Sequence, residues 1–212
     1  MLIPFLSTTT SKGSGVSVRD TEKVIKAVSY SLETALEKMG LNLSDPNLKD
    51  TPTRMAKMYV TEFFKNVGKE FDDFKEFPND HNYNEIIISG GIDFVSMCSH
   101  HFLPFSGKAF IAYLPDKTLI GLSKMARLLD HYAARPQLQE NLCKQVLERF
   151  VEVIHPKAAM VIVYASHSCM ACRGAKKEGS IMITSAMDCP ESEKLSFKSE
   201  VLNLIQITGN LS

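Results

Sequence analysis

The chain has no tryptophan, no excess of either charge and no apolar run long enough to cross a bilayer. Each absence narrows the reading. Lys+Arg and Asp+Glu both number 24, so the formal net charge is zero. A protein that binds nucleic acid through its phosphates needs a basic excess to release counterions, so no nucleic-acid partner is expected. A membrane span needs about 18 or more apolar residues in a row, so no membrane partner is expected either. The opening stretch MLIPFLSTTTSKGSGVS lacks the basic start and long apolar stretch of a secretory signal. Cysteine is present five times, and an odd count argues against a disulfide framework. Reduced thiols available to a metal, in a cytoplasmic setting, fit better. What the chain does have is 212 residues of which 44% are hydrophobic, enough for one well-cored domain or a domain with an appendage.

Residues 1–17 read as a flexible N-terminal arm, with Ser17 as a helix cap and Asp20 three residues on. Residues 18–84 read as a helical region. Val24, Val28, Leu32, Leu36 and Met39 recur at helical spacing up to Gly40, and Thr51-Pro52 opens a second helix, with Thr51 as its cap. Residues 68–84 read as a connector. From residue 85 to 212 the character changes. Residues 85–97 are β-rich with a bulge or bend at Gly90-Gly91, and 107–114 form a second strand. Ser123 caps a helix that runs toward Pro136, and another carries Leu138, Leu142, Val146 and Phe150. Residues 159–166 and 180–187 are further strands, and a last helix spans about 193–206. Paired strands with segregated helices predict an α+β fold with an antiparallel sheet.

Two clusters carry the chemistry. Cys98-Ser99-His100-His101 and His167-Ser168-Cys169 each stand at the end of a predicted strand. Cys98 and His101 have C-x-x-H spacing, which lets one turn present both to an ion, and Cys169 supplies a third ligand. Three ligands on tetrahedral Zn²⁺ leave a corner where water can be activated. A free Cys is commonly only a small buried hydrophobe, but two clusters together favour a metal. Cys172 keeps another arrangement open, because Cys98, His101, Cys169 and Cys172 would close a structural four-ligand site. His100 and His167 are then spare imidazoles, suited to proton transfer near neutral pH or to orienting ligands.

A basic set accompanies them. Ser123, Lys124 and Arg127 open a helix, where free N–H groups and the helix dipole favour an anion, and Lys124 and Arg127 share a face. Arg173 follows Cys169 closely. These residues read as a polyphosphate clamp or as a solvated face. Gln139-Glu140 starts the next helix, and a buried carboxylate there accepts two N–H donors from a guanine edge, whereas an exposed one only serves the helix dipole.

In TPTRMAKMY (51–59), MCSHHFLPFSGKAFIAYLP (97–115), GLSKMARLLDHYAARPQLQENL (121–142) and SHSCMACRG (166–174) the chain resembles GTP cyclohydrolase I, in one order from about residue 20 to 187. The resemblance implies a tunnelling fold: a four-stranded antiparallel sheet with helices packed on one side, preceded by N-terminal helices. It implies a toroidal decamer of two pentamers, and conversion of GTP to 7,8-dihydroneopterin triphosphate with release of formate. Carried over by position, it implies Cys98, His101 and Cys169 as ligands of Zn²⁺, which leaves Cys172 outside. It implies His100 and His167 as acid–base groups, Glu140 with Gln139 beside it at the guanine edge, and Ser123, Lys124, Arg127 and Arg173 on the triphosphate. Two positions depart from the family pattern: Ser99 stands where most members carry Glu, and Cys172 stands where Cys is unusual. Ser99 removes a carboxylate beside the metal, and Cys172 next to Cys169 makes the site a candidate for oxidation.

Overall fold

A computed structural model describes residues 18–207. The expected arm 1–17 and the Ser17 cap lie outside the described residues. Contacts divide the chain into two compact units. The first runs to Thr61 and takes in Gly68–Glu70, and the second takes in Glu62–Val67 and the described chain from Phe71 onward.

The first unit is helical. Helix α1 (Val18–Lys38) ends where the sequence places the stop, and Gly40 follows in the left-handed region at φ +86°. Helix α2 (Thr51–Met58) packs against α1, and the Ser29 and Thr53 hydroxyls are 3.0 Å apart. Asp50, not Thr51, is its cap residue, and Pro52 lies in its first turn, where a missing N–H costs nothing. The helix continues as a π-helical turn, Tyr59–Phe63.

The second unit is built on two sheets. Strand β1 (Glu76–Pro78) pairs antiparallel with β4 (Thr118–Ile120), so the expected connector 68–84 contains a short strand. Charges and Pro78 hide it from a periodicity test, and pairing supplied from 40 residues away is what makes it a strand. The main sheet has the order β5-β2-β3-β6-β7. Strands β2 (Ile87–Cys98), β3 (Pro104–Leu114), β6 (Ala158–His167) and β7 (Ile181–Asp188) are antiparallel neighbours, and β5 (Pro136–Gln137) adds two residues in parallel beside the end of β2. The register shifts between Ser89 and Ile92 at the predicted Gly90-Gly91 bulge, where Gly91 takes φ +67°.

Helices α3 (Leu122–Ala133) and α4 (Gln139–Ile154) cover one face of this sheet. Met125, Leu128, Leu129, Leu142, Val146 and Phe150 meet Phe105, Ile111, Val161 and Val163 there. Gly121 is the cap residue of α3, and Ser123 lies inside its first turn. Helices on one side only do not describe the molecule. Helix α6 (Lys194–Ile207) lays Phe197, Val201 and Ile205 on Phe110, Ala112, Met160 and Ile162 of the opposite face. The reason is that β3 and β6 are apolar on both faces, and two-sided apolar strands require cover on both sides. Each of those α6 side chains contributes roughly 1.5–3 kcal/mol by leaving water. Among the described residues no helix is long and apolar enough to cross a membrane.

Candidate metal centre

The centre forms where two chain reversals meet at one end of the sheet. Strand β2 finishes at Cys98 and β3 starts at Pro104. Between them the Cys98 N–H donates to the Leu103 carbonyl at 2.9 Å, and the Cys98 carbonyl accepts from Phe102 at 2.9 Å and His101 at 3.3 Å. The Ser99 N–H donates to the Gln137 carbonyl of β5 at 2.9 Å. Backbone bonds on both sides therefore fix Cys98, whose residue is 5% exposed. Phe102 turns the corner in the left-handed region, at φ +49°, and its ring meets Phe64 edge-on at 5.0 Å.

On the other side, β6 ends at His167 and runs straight into the single turn α5 (Ser168–Ala171) that carries Cys169. His167 pairs in register with Phe105, and the two rings are parallel at 4.6 Å. An extended chain would carry His167 and Cys169, two residues apart, to one side. The chain instead turns helical at Ser168, and the turn does the same work.

The outcome is that the Cys98 and Cys169 sulfurs and one His167 nitrogen lie within 4.8 Å of one another. Two thiols and an imidazole are the donor set of a borderline-soft divalent ion such as Zn²⁺. The electrostatics agree. Burial first, and then the neighbouring Cys98 thiol, raise the Cys169 thiol above its ordinary value, while Arg173 opposes. A cation between two such thiols would invert that balance and favour thiolates. Burial also holds His167 below the usual imidazole range, with the Glu140 carboxylate opposing.

His101 stands outside this convergent set, on the exposed turn with His100, their ring centroids 6.2 Å apart. Cys172 is exposed, and its thiol donates to the Ser168 carbonyl at 2.8 Å. Glu140 is exposed in the first turn of α4. Gln139, expected beside it at a guanine edge, is 1% exposed and spends its amide inward. Its nitrogen donates to the Val163 and Met182 carbonyls, and its oxygen faces His167 at 2.9 Å. The fully buried position follows from its being the first residue of α4, tucked under β6 and β7.

Lys124 and Arg127 rise from one face of α3, as their spacing predicts, and both bond the carboxylate of Asp73, Arg127 at 2.9 Å. The Lys124 bond, then the Arg127 bond, hold Asp73 below the usual carboxylate range. Ser123 is exposed beside them, and Arg173 is exposed after α5. Asp73 escapes a sequence reading because Phe71-Asp72-Asp73-Phe74 looks like any charged connector. Phe105 escapes it because an apolar strand residue carries no chemical signal of its own.

Comparison with known proteins adds three findings. Residues 28–206 match the sequence profile of the family GTP cyclohydrolase I. The chain is 43% identical over 176 residues to GTP cyclohydrolase 1 of Streptococcus pyogenes serotype M49 (strain NZ131), covering 80% of this chain and 88% of that protein. It is 41% identical over 186 residues to GTP cyclohydrolase 1 of Streptococcus agalactiae serotype V (strain ATCC BAA-611 / 2603 V/R), covering 87% and 97%.

Proposed function

The chain belongs to the GTP cyclohydrolase I family of enzymes, and from that premise we propose that it opens the guanine imidazole ring of GTP with water, releases formate and closes the remainder to 7,8-dihydroneopterin triphosphate. That reaction is the entry step to tetrahydrofolate and other pterins. The observation that carries the proposal is the convergence of Cys98, Cys169 and His167 at the end of the sheet.

We assign Zn²⁺ to Cys98 and Cys169, with His101 as the third ligand because its C-x-x-H turn starts at Cys98. When bound, the ion supplies the Lewis acidity that makes a water nucleophilic near neutral pH. Everything else falls to the chain. Glu140 is assigned the two N–H donors of the guanine edge by its match to the family motif; exposed in the free chain, its carboxylate would be covered by the bound base. Lys124 and Arg127 exchange the Asp73 carboxylate for the triphosphate, joined by Ser123 at the helix start and by Arg173. His167 passes a proton to the purine ring nitrogen as its bond to C8 breaks, and His100 serves the ribose as that ring opens and rearranges.

The sheet is read as a tunnelling fold, and the working unit as a cytoplasmic decamer of two pentamers. The edge strand β7, with Ile181 and Ile183 61% and 70% exposed, supports an assembled form. The test is GTP turnover with formate and the pterin triphosphate both measured, with and without a chelator. Turnover that stops with chelation and returns with Zn²⁺ supports the reading. Zinc bound without turnover would point to a closed binding site or to a different purine.

A further inference from the structure

The Gln139 amide has only one orientation that satisfies its neighbours. Its nitrogen lies 3.0 Å from the Val163 carbonyl, 2.9 Å from the Met182 carbonyl and 3.2 Å from the Thr184 hydroxyl. Carbonyl oxygens only accept, so an amide turned over would set its oxygen against two acceptors inside the protein. The oxygen therefore faces His167, and an amide oxygen only accepts as well. His167 Nε2, at 2.9 Å, must be the donor. A neutral imidazole carries one N–H, so Nδ1 holds the lone pair.

The clamp is stiff at both ends. Val163 belongs to β6, and Met182 and Thr184 to β7, so the amide is pinned to the backbone of two paired strands. The parallel Phe105 ring, 4.6 Å away, fixes the plane of the imidazole that Gln139 fixes in direction. Gln139 is 1% exposed, so its amide is withdrawn from solvent.

We propose that Gln139 is a positioning residue that holds the neutral His167 in the Nε2–H tautomer, with the lone pair on Nδ1. The effect on turnover rests on the GTP reading above; the tautomer does not. The result reassigns Gln139 from the guanine edge to the proton-transfer group.

The experiment uses the full chain labelled with ¹⁵N-histidine, metal-free and zinc-loaded. Two-bond ¹⁵N–¹H correlations show which ring nitrogen bears hydrogen, and a H167Q spectrum identifies the His167 signals. The wild type is expected to show a single Nε2–H tautomer for His167 in the neutral form. Q139L is expected to mix the tautomers and to lower kcat by about tenfold, less than the roughly 10²–10⁴-fold that a general acid–base group itself contributes. KM for GTP should stay within about twofold. Q139E, which sets a carboxylate oxygen against the Val163 and Met182 carbonyls, should not recover the lost kcat. An Nδ1–H or mixed wild-type spectrum overturns the proposal, as does Q139L raising KM while sparing kcat. If Q139L does not fold, the wild-type spectrum still decides. A pure Nε2–H tautomer in a protein that does not turn over GTP would sink the reaction assignment and leave the role of Gln139 standing.

Discussion

Phe105 and His167 occupy directly paired positions of β3 and β6, and their rings lie parallel with centroids 4.6 Å apart. A buried aromatic ring thus forms the floor under a polar one. Replacing Phe105 with Leu keeps the site apolar but removes the flat contact. The expected loss is about 0.5–1.5 kcal/mol from the pair, beyond any change in burial. Urea denaturation would measure it, and turnover should fall further than the small loss of folded protein explains.

The ligand roles separate by metal content. Cys98→Ala and Cys169→Ala should lose Zn²⁺ by well beyond the roughly 10–100-fold that loss of an outer partner causes. His101→Ala should do the same, while Cys172→Ala and His167→Ala retain the metal. Zinc analysis of the purified variants checks this. A His167→Ala variant without zinc beside a His101→Ala variant with it would exchange the two histidines' roles.

Asp73 occupies the two cations proposed to hold the triphosphate. Lys124→Ala should raise KM for GTP roughly 10–100-fold, the worth of one charged hydrogen bond, with a smaller effect on kcat. Asp73→Asn should lower KM, since the cations then give up a weaker partner. Because these bonds depress the Asp73 carboxylate, its contribution to stability is present above the unfolded value of 3.8 and is lost as pH falls below it. The wild type should therefore lose more stability on acidification than Asp73→Asn does.

Cys143 is 1% exposed and its thiol donates to the Val161 carbonyl at 3.1 Å; burial pushes it up from 9.0 to about 12. The folded value lies above the unfolded one, so the neutral thiol stabilises fully below pH 9 and that contribution disappears as pH rises through about 12. Urea midpoints should fall across that window more steeply for the wild type than for Cys143→Ala. Peptide mapping after alkylation of the native protein near neutral pH should find Cys172 labelled and Cys143 untouched.

Gly107 has no room for a side chain. A Cβ there would stand 2.0 Å from the Tyr164 carbonyl oxygen across the β3–β6 pair. Gly107→Ala should destabilise by about 1–3 kcal/mol or more as the strands move apart. It should also weaken turnover, because Phe105 and His167 sit on the same strand pair two residues away. Denaturation and turnover measured on one preparation test both parts.

The long elements were legible because their periodicity and punctuation agree: Gly40 after α1, the Gly90-Gly91 bulge in β2, and the spacing of Leu142, Val146 and Phe150 in α4. The cover on the second face was not read: the expected helices lay on one side, although β3 and β6 are apolar on both faces. Other features were not legible either. The three-residue β1 exists only through β4, and the caps Asp50 and Gly121 differ by one or two residues from the side chains that look like caps. In the candidate site, the cysteines and His167 could be named from spacing and resemblance. The inward turn of Gln139 and the grip of Asp73 depend on which groups surround them in space, and no local pattern encodes that.

The two thiols of the candidate centre belong to parts of the chain about 70 residues apart, a separation whose closure costs entropy before any bond repays it. They meet where β6 pairs with β3, and α3 and α4 lie between those two strands in the chain. An ion that encounters the unfolded chain finds only the local pairs Cys98/His101 and Cys169/Cys172 and binds them more weakly than the assembled centre. Metal capture is therefore a late step in folding, and the rate at which zinc is taken up by refolding protein should report when the centre of the sheet has zipped.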